Sequence, residues 1–174
     1  MSSDSSQDTP KSNDSAMGSY INSLLERFKS KHYQTVTDYR YDISQQGLEI
    51  LAIKQGKRGL VLPEPAQCIM VQKIPLKERQ EVDAFSGVCT KYALDNYRTR
   101  VGLIVIPVAL NDDFPDELKK WIREEERQKH WDAFEFPVLA SVSKNELSYY
   151  LKTPFWGAVY WDKIRKITDE MLHF

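Results

Sequence analysis

The segment from Val101 to Leu110 is the longest clean apolar run in the chain, interrupted only by Gly102 and Pro107. It constrains the fold more than any other feature. Side chains along a strand alternate between two faces. A strand that is apolar at nearly every position therefore needs cover on both sides. The run is also far shorter than the roughly 20 apolar residues a bilayer-crossing helix requires. It reads as a buried strand and its exit: Val101–Val108 is expected to be a central strand of a sheet covered on both faces.

The segments around it supply that cover. Ile21, Leu24, Leu25 and Phe28 recur at helical spacing after Ser19, which is placed to cap the helix they define. Val82, Phe85, Cys89, Tyr92 and Ala93 form a second stripe within Leu76–Tyr97, with Gly87 as its weak point or a place of close packing. Pro115 opens a third helix, since its missing N–H costs nothing in a first turn. Leu118, Trp121 and Ile122 give that helix a buried patch, and its charged half, Arg123 to His130, is expected to project into solvent. A fourth helix is expected from about Asp162 to Leu172.

Strands are expected at 33–43, Leu48–Lys54, Leu60–Leu62, Cys68–Ile74, Phe136–Val142 and Glu146–Lys152. Ser143-Lys144-Asn145 turns a hairpin, and a short strand is added at Gly157–Trp161. The fold class is thus α+β or α/β: a single compact domain with a mixed β-sheet flanked by helices. Residues 1–17 hold six serines and few apolar side chains, so they are expected to form a disordered tail before a domain spanning 18–174.

Charge narrows the function. Lys and Arg total 24 against 25 Asp and Glu, a formal net charge of -1, which does not describe a protein built to neutralise phosphates. Cys68 and Cys89 are the only cysteines, and His32, His130 and His173 lack ligand-like spacing, so no structural metal site is expected. With no signal-peptide pattern and no membrane-spanning run, the chain reads as cytoplasmic.

The segment from Ser19 to Val108, a helix, three or four strands, a helix and a strand, resembles a restriction-endonuclease-like nuclease module in its order of elements. That resemblance implies an acidic residue on one strand and an Asp or Glu, one spacer and a Lys on the next, with the carboxylates holding magnesium. Residues two apart on a strand share a face and so reach one phosphate. The nearest match is Ala52-Ile53-Lys54, in which Ala52 occupies the acid position. Val71-Gln72-Lys73 lacks the acid as well. Glu49 falls on the strand face opposite Lys54 unless a bulge intervenes. Asp38, Asp42, Glu49 and Lys54 are the candidates a magnesium-dependent nuclease, or its inactive nucleic-acid-binding derivative, would have to use. Arg40 between Asp38 and Asp42 favours simple neutralisation on a solvated face. Lys57 and Arg58 read as a solvated hairpin tip. No other catalytic set emerges, and Cys89 has no local His to activate it.

The densest remaining feature is Tyr149–Trp161, with six aromatics in thirteen residues. Aromatics of this kind fill cores or anchor interfaces. Tyr150, Trp156 and Tyr160 are the candidate binding residues there, joined by Arg123 and Arg127 on the charged helix half. The expected function is a non-enzymatic protein-interaction or regulatory module, without cofactor, acting on a protein partner or on a second copy of itself.

Overall fold

The computed structural model of the chain describes residues 11–39, 47–56, 64–97, 102–125, 133–153 and 158–174. Its centre is β4 (Leu103–Asn111), in which every residue from Leu103 to Leu110 is buried. On one side lie β3 (Ala66–Lys73), β2 (Leu48–Lys54) and β1 (Gln34–Tyr39); on the other lie β5 (Ala133–Glu135), β6 (Val138–Ser141) and β7 (Glu146–Ser148). The sheet is mixed and seven-stranded, ordered β1-β2-β3-β4-β6-β7, with β5 also paired to β4. The β1–β2, β2–β3 and β6–β7 pairs are antiparallel; β4 runs parallel to β3, β5 and β6.

Among the described residues, four helices cover this sheet, two on each face. The side chains of Ile104, Ile106, Val108 and Leu110 meet α1 (Lys11–Ser30) and α4 (Ala158–Leu172) through Leu24, Phe28, Trp161 and Ile164. The alternate residues Leu103, Val105 and Ala109 meet α2 (Arg79–Asn96) and α3 (Asp116–Glu124) through Val82, Phe85, Cys89, Leu118 and Trp121. The molecule is an α+β single domain with two apolar layers back to back on one sheet, as the Val101–Leu110 run requires. Among the described residues, no helix is long and apolar enough to cross a membrane.

The structure moves several boundaries. Helix α1 begins at Lys11 rather than at Ser19, because Met17 and Tyr20 extend the stripe of Leu24 and Phe28 upstream. Tyr20 stacks on Phe174 with ring centroids 4.3 Å apart, and its hydroxyl donates to the Leu172 carbonyl. Residues 11–17 are thus helical, not tail, and residues 1–10 lie outside the described residues. So does the expected strand Leu60–Leu62. The strand expected at Gly157–Trp161 is corrected: α4 begins at Ala158. Trp161, Ile164, Thr168 and Leu172 are all buried, a 3.6-residue period that overrides the strand preference of Val159 and Tyr160. Helix α3 ends at Glu124, with Glu125 extended and its N–H bonded to the Trp121 carbonyl. The rest of the expected charged half, Arg127 included, falls outside the described residues.

The 143–145 turn is as expected. It joins β6 to β7, and Asn145 takes the left-handed backbone (φ 49°) that Asn tolerates. The short strand β5 was not expected. It is only three residues long, and its aromatic neighbours mask any alternation.

Two glycines differ in their demands. A Cβ on Gly56 would lie 2.2 Å from the Glu64 carbonyl oxygen and 2.9 Å from the Ala66 nitrogen, so only glycine fits where the chain leaves β2 beside the start of β3. A Cβ on Gly87 meets nothing within 4 Å, so close packing is not the reason for that glycine. Gly87→Ala is expected to stabilise the protein by about 0.5–1 kcal/mol through helix propensity and a stiffer unfolded chain. Gly56→Ala is expected to destabilise it. Urea denaturation of both variants reads the two signs.

Candidate functional site: the cleft between α2 and α3

The candidates implied by a nuclease-like reading are not brought together. The β1–β2 pairing keeps one register from Tyr39↔Leu48 to Gln34↔Ile53, on both sides of Glu49, and β2–β3 keeps one register from Ile50↔Val71 to Lys54↔Gln67. No bulge therefore separates Glu49 from Lys54. Lys54 shares its face with Ile50 and Ala52, toward α1, whereas Glu49 shares the opposite face with Leu51 and Ile53. Lys54 Nζ sits 5.2 Å from the centroid of the Tyr33 ring. The Tyr33 hydroxyl donates to Gln67 Oε1, and burial pushes its pKa up. Asp38 occupies β1, but its side chain, like the whole of Asp42, lies outside the described residues. Among the described residues, no group of three His, Cys, Asp or Glu side chains is arranged to hold a metal ion. Both cysteines are buried thiols outside any disulfide, and burial pushes the Cys68 thiol up to about 12. A thiol so protonated is no nucleophile.

The aromatic candidates divide. Tyr150 is 4% exposed, with its ring 5.7 Å from that of the fully buried Trp161. Tyr150 is corrected from a surface anchor to core. The cause is helix α4, which turns Trp161 inward onto Phe136 and Tyr150. Tyr160 is half-buried against Phe134 at 5.1 Å, so part of it remains accessible. Trp156 lies outside the described residues. Arg123 is also corrected. It does not project freely but donates to Glu146 at 2.6 Å and to Ser148 Oγ at 2.9 Å.

Arg123 belongs to a charged network that sequence spacing did not reveal. Lys119, on the inner side of α3, is 3% exposed, and its Nζ lies 2.9 Å from Asp113, 3.1 Å from Glu146 and 3.2 Å from Asp116. Lys144 adds a contact of 2.7 Å to Asp113. Burial alone would lower the Lys119 pKa, but the three carboxylates together outweigh it and raise it. In turn, Lys144 and Lys119 hold the Asp113 carboxyl far below its usual range, and Arg123 with Lys119 lowers that of Glu146. The network binds α3 to the end of β4 and to the β6–β7 hairpin. Its only local trace is a lysine between Leu118 and Ile122, and the decisive partner, Glu146, comes from a distant hairpin.

With α3 so fixed, an open cleft of about 670 Å³ forms against the start of α2. The Glu81 carboxylate accepts from the backbone N–H groups of Lys77, at 2.6 Å, and Glu78, at 3.0 Å, which pins the first turn of α2. Arg79 then lies over the Trp121 ring, 5.6 Å from its centroid, and 3.8 Å from Glu125. Glu117, Lys120, Trp121 and Glu124 follow helical spacing along one side of α3 and line the cleft. Its last wall is Lys152. The backbone there is clamped: Leu151 N–H donates to the Arg123 carbonyl at 3.1 Å, and Arg165 donates to the Lys152 carbonyl at 2.9 Å. Beside it, Leu151 is 57% exposed.

The network predicts a pH response. Asp113 and Glu146 have folded pKa values below their ordinary 3.8 and 4.5. Their stabilisation is therefore complete above those values and is lost as pH falls through the folded ones. Lys119, with a raised pKa, holds its share at all pH below its ordinary 10.5 and loses it only in strong alkali. Lys119→Met should cost about 1–3 kcal/mol. It should also flatten the decline in stability below about pH 4.5. Lys120→Met, on the exposed side, should change stability by less than about 0.5 kcal/mol. Thermal denaturation between pH 2 and pH 7 checks all three. Three comparisons, with protein-family models, with curated proteins and with solved structures, find no match to the chain.

Proposed function

We propose that this chain is a non-enzymatic protein-interaction module of regulatory type, docking its partner in the α2–α3 cleft. The observation that carries the reading is the cleft's lining. Arg79, Lys120 and Lys152 stand among Glu117, Glu124 and Glu125, with Trp121 beneath Arg79. Lys120, Lys152, Glu117 and Glu124 make no ion pair with any described residue. Side chains of both signs around one open depression match a polypeptide segment that itself carries both signs. A phosphate backbone would meet as many carboxylates as cations there. A small apolar ligand would find an open, charged surface instead of an enclosed apolar pocket. Leu151, the residue before Lys152, adds an exposed apolar side chain beside the lining.

The reading is tested by a photo-crosslinking side chain placed at position 120, with position 29 on α1 as control. A discrete protein adduct is expected from 120 and not from 29. Lys152→Glu should weaken its formation by about tenfold, and added salt should weaken it further. An adduct pattern identical at both positions, or none at 120, removes the cleft as a docking site.

One observation favours a second reading, a nucleic-acid-binding derivative of a nuclease-like fold. The order α1-β1-β2-β3-α2-β4 follows the helix, strands, helix and strand of such modules. On this reading, the chain retards DNA at low salt, and Lys54→Ala reduces that retardation. Any catalytic remnant would appear as magnesium-dependent cleavage lost in the same variant. A chain that neither retards nor cleaves DNA excludes this second reading.

A further inference from the structure

The two ends of the sheet differ. β7 is three residues long and so offers a partner little edge. β1 is six residues long and, among the described residues, pairs only with β2. Its outer edge presents backbone N–H and C=O groups with no ladder partner among those residues. The usual protective devices are missing from its first four residues: Gln34, Thr35, Val36 and Thr37 include no lysine, no proline and no charge. Val36 is 47% exposed, and only Leu151 joins it as an exposed large hydrophobic among the described residues.

The residues of β1 are also symmetric. Thr35-Val36-Thr37 reads the same in both directions. We infer that β1 pairs antiparallel with β1 of a second copy, about a two-fold axis through Val36, extending the sheet across the dimer. In that register Val36 faces its own copy, and Thr35 faces Thr37 of the partner subunit. Both are favourable cross-strand pairs. Among Gln34 to Thr37 a foreign strand would find no charge to select it, whereas a second copy supplies matching residues at positions 35 to 37. A single strand edge buries less than the roughly 1,200 Å² of a standard interface. The dimer is therefore concentration-dependent. The surface is separate from the α2–α3 cleft, so either proposal can fail while the other stands.

Sedimentation equilibrium of the full chain over about three decades of concentration tests the association, with a rise from monomer to dimer mass expected. Val36→Lys, which sets two ammonium groups directly opposite each other, should hold the chain monomeric throughout. Because Val36 is about half exposed at the sheet edge, the variant should keep its wild-type circular dichroism. Register is read by Val36→Cys. Opposed positions lie about 4.5–5.5 Å apart at Cα, within disulfide reach. Mild oxidation should therefore link two chains through position 36, while Gln34→Cys, which faces position 38 of the partner subunit, should link at least tenfold less. The buried Cys68 and Cys89 do not compete. A chain that stays monomeric at every concentration overturns the proposal. So does a dimer that Val36→Lys leaves intact, or one in which positions 34 and 36 crosslink equally.

Discussion

Strand β4 has no face in water. From Leu103 to Leu110 every side chain is buried, alternating between the α1/α4 layer and the α2/α3 layer. An apolar strand of that length is tolerable only where both layers exist, so each helix pair is a condition for the other. The parallel pairing of β3 and β4 follows from the same demand. A parallel neighbour needs a crossover, and the crossover here is α2, which lies on the face that Val105 and Ala109 must bury. Placing α2 there brings its first turn, with Arg79, to the end of the sheet where α3 starts.

The two-faced sheet also decides which polar residues can act together. Period-two alternation puts Glu49 and Lys54 on opposite faces, and the constant register of the β1–β2 and β2–β3 pairs leaves no bulge to reconcile them. Lys54 instead lies against Tyr33, whose hydroxyl is held by Gln67 from the facing strand. The polar groups of that region serve each other across the β2–β3 pair. On the α2 face, Glu135 is buried and accepts from Ser86 at 2.6 Å and from Thr90 at 3.1 Å. That pattern is the ordinary satisfaction of a buried carboxylate by hydroxyls on the helix above it.

Local periodicity made the layers readable before the structure. The stripe Val82, Phe85, Cys89 defined α2, and Leu24 with Phe28 defined α1, because each repeats at the spacing of its own element. The misreadings share one cause: the deciding partner is distant in sequence. Met17 joins α1 because α4 and the sheet cover it. Val159, Tyr160 and Trp161 carry strand-favouring side chains, yet Trp161 is helical because Phe134, Phe136 and Tyr150 surround it. The cleft was less legible still. Trp121 was recognisable as apolar helix surface, but nothing near it in the chain names Arg79, which arrives by way of α2 and β4. Lys120 and Glu124 look like any solvated helix face until the fold sets Lys152 across from them.

Lys119 shows why such a cleft can hold its shape. A buried ammonium ion loses hydration that its partners must replace, and an apolar residue in the same place is often no less stable. What the apolar residue lacks is direction. Lys119 is satisfied only when Asp113 at the end of β4, Asp116 on its own helix and Glu146 on the hairpin converge on one nitrogen. Arg123, one turn further along, repeats the demand on Glu146 and Ser148. Two cations spaced four residues apart on α3 thereby fix both the rotation and the tilt of the helix against the hairpin. Apolar contacts by themselves carry no such directional demand, because dispersion and burial do not depend on the orientation of a bond. The inner charges hold the position, and the outer stripe of Glu117, Lys120 and Glu124 is presented to the cleft as a consequence.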